Sequence, residues 1–255
     1  MKNLLCALGL VALLATGCKD QAKESAAHAS TDVSELTTLI EKDLGEIERG
    51  LPLGAKKLEP LVSDGADPKL DPPAVRTALQ RVRRDVPDLS IAKSTFFALA
   101  DANGLAIRND LEEDVMAGQN LFSVFPALAG AKSAYTTTTG LFPNATTKNG
   151  PDRDWIAGVP VKRNTGETGA IFVTGWTYRY FARHLQVSLK DRLADEAKKS
   201  GEVGRMPVFY VAVFDKTGVY SAPLTPPVDE KALAGAGLLE KTAAGPAQGT
   251  LTITD

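Results

Sequence analysis

Apolar residues recur along this chain in three distinct rhythms, and each rhythm predicts a different element. An unbroken apolar run from Leu4 to Ala15 comes first, behind Lys2. Val33, Leu36, Ile40, Leu44, Ile47 and Leu51 then recur at helical spacing, behind a cap at Asp32 or Ser34, with acidic residues on the other face. Pro52 and Gly54 are read as its stop. The stripe is close to a heptad, so it serves either a partner helix or its own domain. Pro60 to Pro73 reads as a loop, and Val75, Leu79 and Val82 mark a short helix started by Pro73 and ended near Pro87.

From Ser94 the pattern turns to strands. Thr95 to Ala100 is apolar, Asp101-Ala102-Asn103-Gly104 is a turn, and Leu105 to Arg108 returns. Asp110 to Phe125 reads as an acidic helical piece broken by Gly118, and Ser133 to Leu141 as a Thr-rich strand. Trp155 to Val161 and Ala170 to Thr174 form a hairpin across the polar turn Lys162 to Thr168, with Pro160 marking an edge or a bulge. Tyr178, Phe181, Leu185, Leu189 and Leu193 restore the helical period up to Lys198, Lys199 and Gly201. Val208 to Phe214 is a buried strand that turns at Asp215 to Gly218 and returns through Val219 to Ser221; Thr250 to Thr254 is a last strand. The chain ends abruptly at Asp255, as a truncated sequence would. The fold class is therefore α+β: a mainly antiparallel sheet with N-terminal helices and one long helix after the second hairpin.

The opening run is too short to cross a bilayer core, which takes about 20 residues. A basic start followed by a short apolar run is an export signal, set aside from the fold. Its end, Leu14-Ala15-Thr16-Gly17-Cys18, resembles the lipobox of bacterial lipoproteins, with Ala15 where Leu is commoner. The resemblance implies cleavage before Cys18, acyl chains such as palmitate on that cysteine, and a membrane anchor outside the cytoplasm. Lys19 stands where many inner-membrane lipoproteins carry Asp, which points to the periplasmic face of the outer membrane. Residues 1–17 are then the signal, 18–31 a flexible polar tether, and 32–255 a single domain.

Composition narrows the chemistry. The chain is 44% apolar and 24% charged, with a formal net charge of −2, so it offers nucleic acid no basic surface. Of its two cysteines, Cys6 leaves with the signal and Cys18 carries lipid, so the mature domain has no thiol for a disulfide, zinc or nucleophile. The two histidines are His28, in the tether, and His184, inside the long helix. No Gly-x-Ser-x-Gly elbow, His-Glu-x-x-His helix or P-loop occurs. The expectation is a domain that is not an enzyme and holds no cofactor or metal.

Three pieces together, Phe97 to Gly104, Gly118-Gln119-Asn120-Leu121-Phe122, and Gly158-Val159-Pro160-Val161 with Gly166 to Val173, resemble the extracytoplasmic Cache and PAS-like sensor domains. The resemblance spans roughly residues 75 to 175. It implies a pocket between the sheet and the segment linking its second and third strands. The run Pro151-Asp152-Arg153-Asp154-Trp155 offers a guanidinium, carboxylates and an indole at the entrance to a strand, and the pocket that the resemblance implies would add Tyr135 and either Arg108 or Arg179. The expected function is a lipid-anchored sensor domain that binds a small polar metabolite or a partner protein, with a transmembrane receptor or kinase as signalling partner. A structural or interaction lipoprotein without a ligand is the alternative, and a hydrolase built on paired carboxylates is the third reading.

Overall fold

The computed structural model describes residues 9–12, 19–63, 70–147, 150–201, 209–243 and 245. In chain order the elements are β1 (Gly9–Ala12), α1 (Lys19–Leu58), α2 (Pro72–Asp85), α3 (Pro87–Ile91), β2 (Phe96–Asp101), β3 (Ala106–Asn109), α4 (Leu121–Val124), β4 (Thr136–Thr147), β5 (Gly150–Lys162), β6 (Thr168–Thr177), α5 (Tyr178–Ser200), β7 (Val211–Asp215), β8 (Gly218–Ser221), α6 (Pro227–Ala234) and α7 (Leu238–Thr242). They fall into two compact units, Glu41–Thr177 and the pair of segments Met1–Ile40 and Tyr178–Asp255, where the sequence reading takes 32–255 as one domain.

The unit Glu41–Thr177 is built on a five-stranded antiparallel sheet in the order β3-β2-β6-β5-β4. Its first hairpin follows from the turn Asp101 to Gly104. Asp101 Oδ1 accepts from the backbone N–H groups of Asn103 and Leu105, at 2.8 and 2.9 Å, and Gly104 takes φ +85°. Pro160 sits where expected in physical terms: pairing of β5 with β4 begins at Gly158↔Thr136, so at Pro160 only the β6 side of β5 is occupied.

One face of this sheet is covered by the second half of α1 with α2 and α3. Asp71 caps α2 by accepting from Ala74 N–H at 3.1 Å, and Val75, Leu79 and Val82 are buried as their spacing predicts. The other face is covered by residues 110–135, expected as a helix over 110–125. Only Leu121–Val124 is α-helical there, followed by a 3₁₀ stretch at Pro126–Lys132. Side chains explain the difference, since they take the backbone donors a helix would use. Asp114 accepts from the N–H groups of Asn109, Met116 and Ala117, Asn109 accepts from Leu111 N–H, and Arg108 donates to the carbonyls of Leu111 and Glu112.

Two further expectations change in α1. The helix starts at Lys19, inside the segment read as a tether, and runs through Pro52 to Leu58. Ala, Gln, Lys and Glu dominate residues 19–29 and are strong helix formers, so extending an existing helix through them costs little. Gly54 acts as a close-approach residue rather than a stop: a Cβ there would lie 2.6 Å from the Phe172 ring and 2.8 Å from Val82.

In the other unit, β1, β7 and β8 form a three-stranded antiparallel sheet in the order β1-β7-β8. The apolar run read purely as a signal thus contributes a strand. Phe181, Leu185 and Leu189 of α5 are buried, and Gln186 donates to the Phe209 carbonyl at 3.1 Å. The last strand expected, Thr250 to Thr254, and Cys18 lie outside the described residues.

Candidate functional site

The run Arg153-Asp154-Trp155 lies within β5, and a strand sends successive side chains to opposite faces. Register settles which. Ile156 belongs to the apolar cluster beneath residues 110–135, so Asp154 takes that side, while Arg153 and Trp155 face α1. Trp155 stacks on its register partner Trp176 with ring centroids 4.3 Å apart. Arg153 Nη2 donates to Thr139 Oγ1 at 3.0 Å, and Thr139 is the β4 partner of Trp155. Tyr135, half-buried just before β4, has its phenol pushed up by burial and by the nearby Glu48 carboxylate of α1. Tyr135, Arg153 and Trp155 therefore share one side, and Asp154 does not.

Arg179 belongs to the other unit. Its guanidinium donates to both carboxylate oxygens of Glu230, at 2.9 and 2.7 Å, and to the Ser221 carbonyl at 3.3 Å. Burial pushes the Glu230 carboxyl up, but the Arg179 fork outweighs it and holds the group below the ordinary value. This arginine ties α5 to α6 within its own unit.

The position of α1 over the sheet brings in residues the sequence reading missed. A Cβ at Gly169 would touch Val62, and one at Gly54 would touch Phe172, so the helix runs antiparallel to β6. At about 1.5 Å per helical residue against about 3.3 Å per strand residue, Glu46 comes level with Gly175 and Trp176. Asp43 and Glu46 are only 2% and 3% exposed. Burial pushes the Glu46 carboxyl up, Asp43 adds to this, and Lys42 and Lys93 pull the other way. The signal was available: Asp43, Ile47, Gly50 and Gly54 share one helical stripe, and Gly54, where a Cβ would meet Phe172, marks it as the sheet-facing one, with Gly50 close against Leu89 of α3.

One polar atom at this end stands out. Trp155 is 2% exposed, and its indole N–H finds no acceptor among the described residues. A buried donor left unpaired costs about 1–3 kcal/mol. The indole, Arg153 and Thr139 form a mixed polar and aromatic patch on the sheet face that α1 covers. Among the described residues no group of three His, Cys, Asp or Glu side chains gathers in the manner of a metal site.

The opposite face, where the resemblance implies the pocket, is apolar and closely filled. Phe125, Leu128, Leu121 and Met116 from the covering segment meet Ile156, Ile171 and Val173 from the strands. A Cβ at Gly140 would stand 2.7 Å from Phe125, and one at Gly158 3.0 Å from Leu128. The two glycines let the segment sit directly on the strands.

No protein-family model matches the chain. No curated protein matches it in sequence. Among solved structures, the periplasmic sensory domain of the Campylobacter jejuni chemoreceptor Tlp1 overlaps at 10% identity and TM-score 0.44, over 63% of this chain and 63% of that one. The sensor domain of the V. cholerae histidine kinase DctB overlaps at 13% identity and TM-score 0.41, over 65% of this chain and 61% of that one. An extracellular ligand binding receptor from Desulfohalobium retbaense DSM5692 overlaps at 10% identity and TM-score 0.44, over 63% of this chain. The chain spans less than two thirds of each of these, and 26% of the last. Among the described residues no helix is long and apolar enough to cross a membrane.

Proposed function

We propose that this chain is a lipid-anchored, extracytoplasmic sensor-like domain that binds a small polar ligand under α1 and does no chemistry on it. Lipid on Cys18 holds it to a membrane, with the outer one favoured, and a receptor or kinase that spans the inner membrane reads its state. The observation that supports ligand binding is the buried indole N–H of Trp155, which asks for an acceptor oxygen of the kind a carboxylate or carbonyl supplies. Trp176 gives the ligand's apolar part a stacking surface, and Tyr135, Thr139 and Arg153 border the same place.

A thermal-shift screen of organic acids, amines and nucleosides tests this. A ligand present at 100 times its dissociation constant adds about 2.7 kcal/mol. For a protein of this size that raises Tm by roughly 5–10 °C. Trp155→Phe keeps a ring in place but deletes the N–H, so it should abolish the shift, and Arg153→Ala should weaken it. A hit untouched by both places the ligand elsewhere. If no compound moves Tm by more than a degree or so, the interaction lipoprotein is the better reading. The filled apolar face of the sheet favours that reading, because it leaves the expected pocket side occupied by the protein's own side chains. The anchor is tested separately: Cys18→Ser should abolish lipidation and membrane fractionation.

A further inference from the structure

We infer that the outer edge of β7 docks the same edge of a second copy of this chain, and that removal of the export signal opens it. The inference rests on the export reading proposed above.

β7 lies at the centre of the order β1-β7-β8, with one edge held by β8 and the other by Gly9–Ala12. The second pairing is antiparallel and in register: Gly9↔Phe214, Leu10↔Val213, Val11↔Ala212 and Ala12↔Val211. Gly9–Ala12 lies inside the apolar run that precedes Cys18. Cleavage at Cys18 would take this strand away and leave β7 with a bare row of N–H and C=O groups. Each of those groups needs a partner. Val211 to Phe214 carries none of the usual devices that blunt an edge: no charge, no proline and no bulge against either neighbour.

A second copy fits this edge for three reasons. The strand seated there, Gly-Leu-Val-Ala, is short, aliphatic and antiparallel, and β7 offers Val-Ala-Val-Phe, a strand of the same kind. Antiparallel pairing of two identical edges about a two-fold axis is self-complementary, as an isologous interface requires. The one charge in β7, Asp215, stands at its end, so two-fold pairing sends the two copies of it to opposite ends of the ribbon. Lipid anchors on one membrane would also raise the local concentration of copies.

The test compares three full-chain samples by native mass spectrometry and light scattering. The first is chain made by cell-free synthesis without membranes, which keeps residues 1–17. The second is the same with Val11→Pro, which removes a ladder donor and unseats β1 while leaving β7, β8 and the unit Glu41–Thr177 unchanged in sequence. The third is protein extracted from cells in mild detergent, with its N-terminal mass measured. The first should be monomeric and the other two dimeric, with slowed amide exchange at Val211 to Phe214 in the dimers. The inference is overturned if Val11→Pro and the processed protein are both monomeric. It is equally overturned if all three dimerise alike, or if amides 211–214 exchange fast within a dimer. If the cell-derived chain still carries residues 1–17, the export reading fails instead, and Val11→Pro alone decides the edge.

Discussion

The two faces of the five-stranded sheet are made by the same strands yet do opposite things. Even-numbered residues of β2 and β5 with odd-numbered residues of β6, such as Ala98, Ile156, Ile171 and Val173, meet a covering segment that brings only apolar groups to them. Their alternates meet α1 and α2, and there Arg83 lies over the Phe97 ring at 4.5 Å, Arg153 bonds Thr139, and Asp43 and Glu46 are buried. Buried polar groups thus gather under the helices, although Asp154 is buried on the side of the strand-linking segment. The lesson is that likeness in the order of elements does not decide which face carries chemistry; the alternation of individual residues does.

The sharpest way to break this contrast is to empty the apolar face. Phe125 is 1% exposed and stacks against Phe142 with centroids 6.2 Å apart. Phe125→Ala should cost about 4 kcal/mol, read from denaturant unfolding. An effect under about 1 kcal/mol would mean that this face already yields around an open cavity, and the contrast would fail.

On the helix side the corresponding lock is ionic. Asp110 accepts from Phe97 N–H at 2.7 Å and pairs with Arg83 of α2 at 2.9 Å, with burial pushing its carboxyl up against both partners. Asp110→Ala strands two donors and should cost about 3 kcal/mol. Asp110→Asn keeps an acceptor for Phe97 and should cost less. Equal losses from the two would show that the charge, not the backbone bond, holds α2.

Trp155→Phe should change stability by no more than about 1 kcal/mol, since the loss of ring area is offset by removing an unpaired buried donor. A much larger loss, measured without added ligand, would show that the indole N–H has a partner within the folded protein.

These contrasts also mark what was legible in the sequence. The hairpins were, because Asp101 to Gly104 and Lys162 to Thr168 are local turn chemistry flanked by apolar runs. The long helix α5 was too, from the spacing of Phe181, Leu185 and Leu189. Residues 110–120 were not, because Asp114 and Asn109 compete with a helix through bonds that depend on where the chain folds back. The candidate site was legible in its residue types but not its geometry. Arg153, Asp154 and Trp155 read as one cluster at the entrance to a strand, and placing all three within the strand divides them between two faces. Asp43 and Glu46 were assigned to the outer face of α1, because hydropathy gives buried acids no weight.

The finest probe of the contrast is the pH dependence that Glu46 imposes on the helix face. Its carboxyl is held above the ordinary value of 4.5, chiefly by burial and then by Asp43, against the pull of Lys42 and Lys93 and a further push from Asp88. A raised value means the folded protein binds this proton more tightly than the unfolded chain. The stability it contributes is therefore full below pH 4.5 and is lost as pH rises through the folded value. Glu46→Gln keeps the shape and a hydrogen-bonding end but has no proton to lose. The variant should gain on the wild type between acidic and neutral pH, by a margin on the order of 2 °C in Tm. Taking the difference between variant and wild type at each pH cancels the contribution of carboxylates remote from Glu46 to first order. Asp43→Asn offers a cross-check, because it removes the second cause of the shift and should narrow the gap between wild type and Glu46→Gln. A variant whose advantage is the same at both ends of the range would mean that Glu46 reaches water in solution, and that the helix face is less dry than its burial implies.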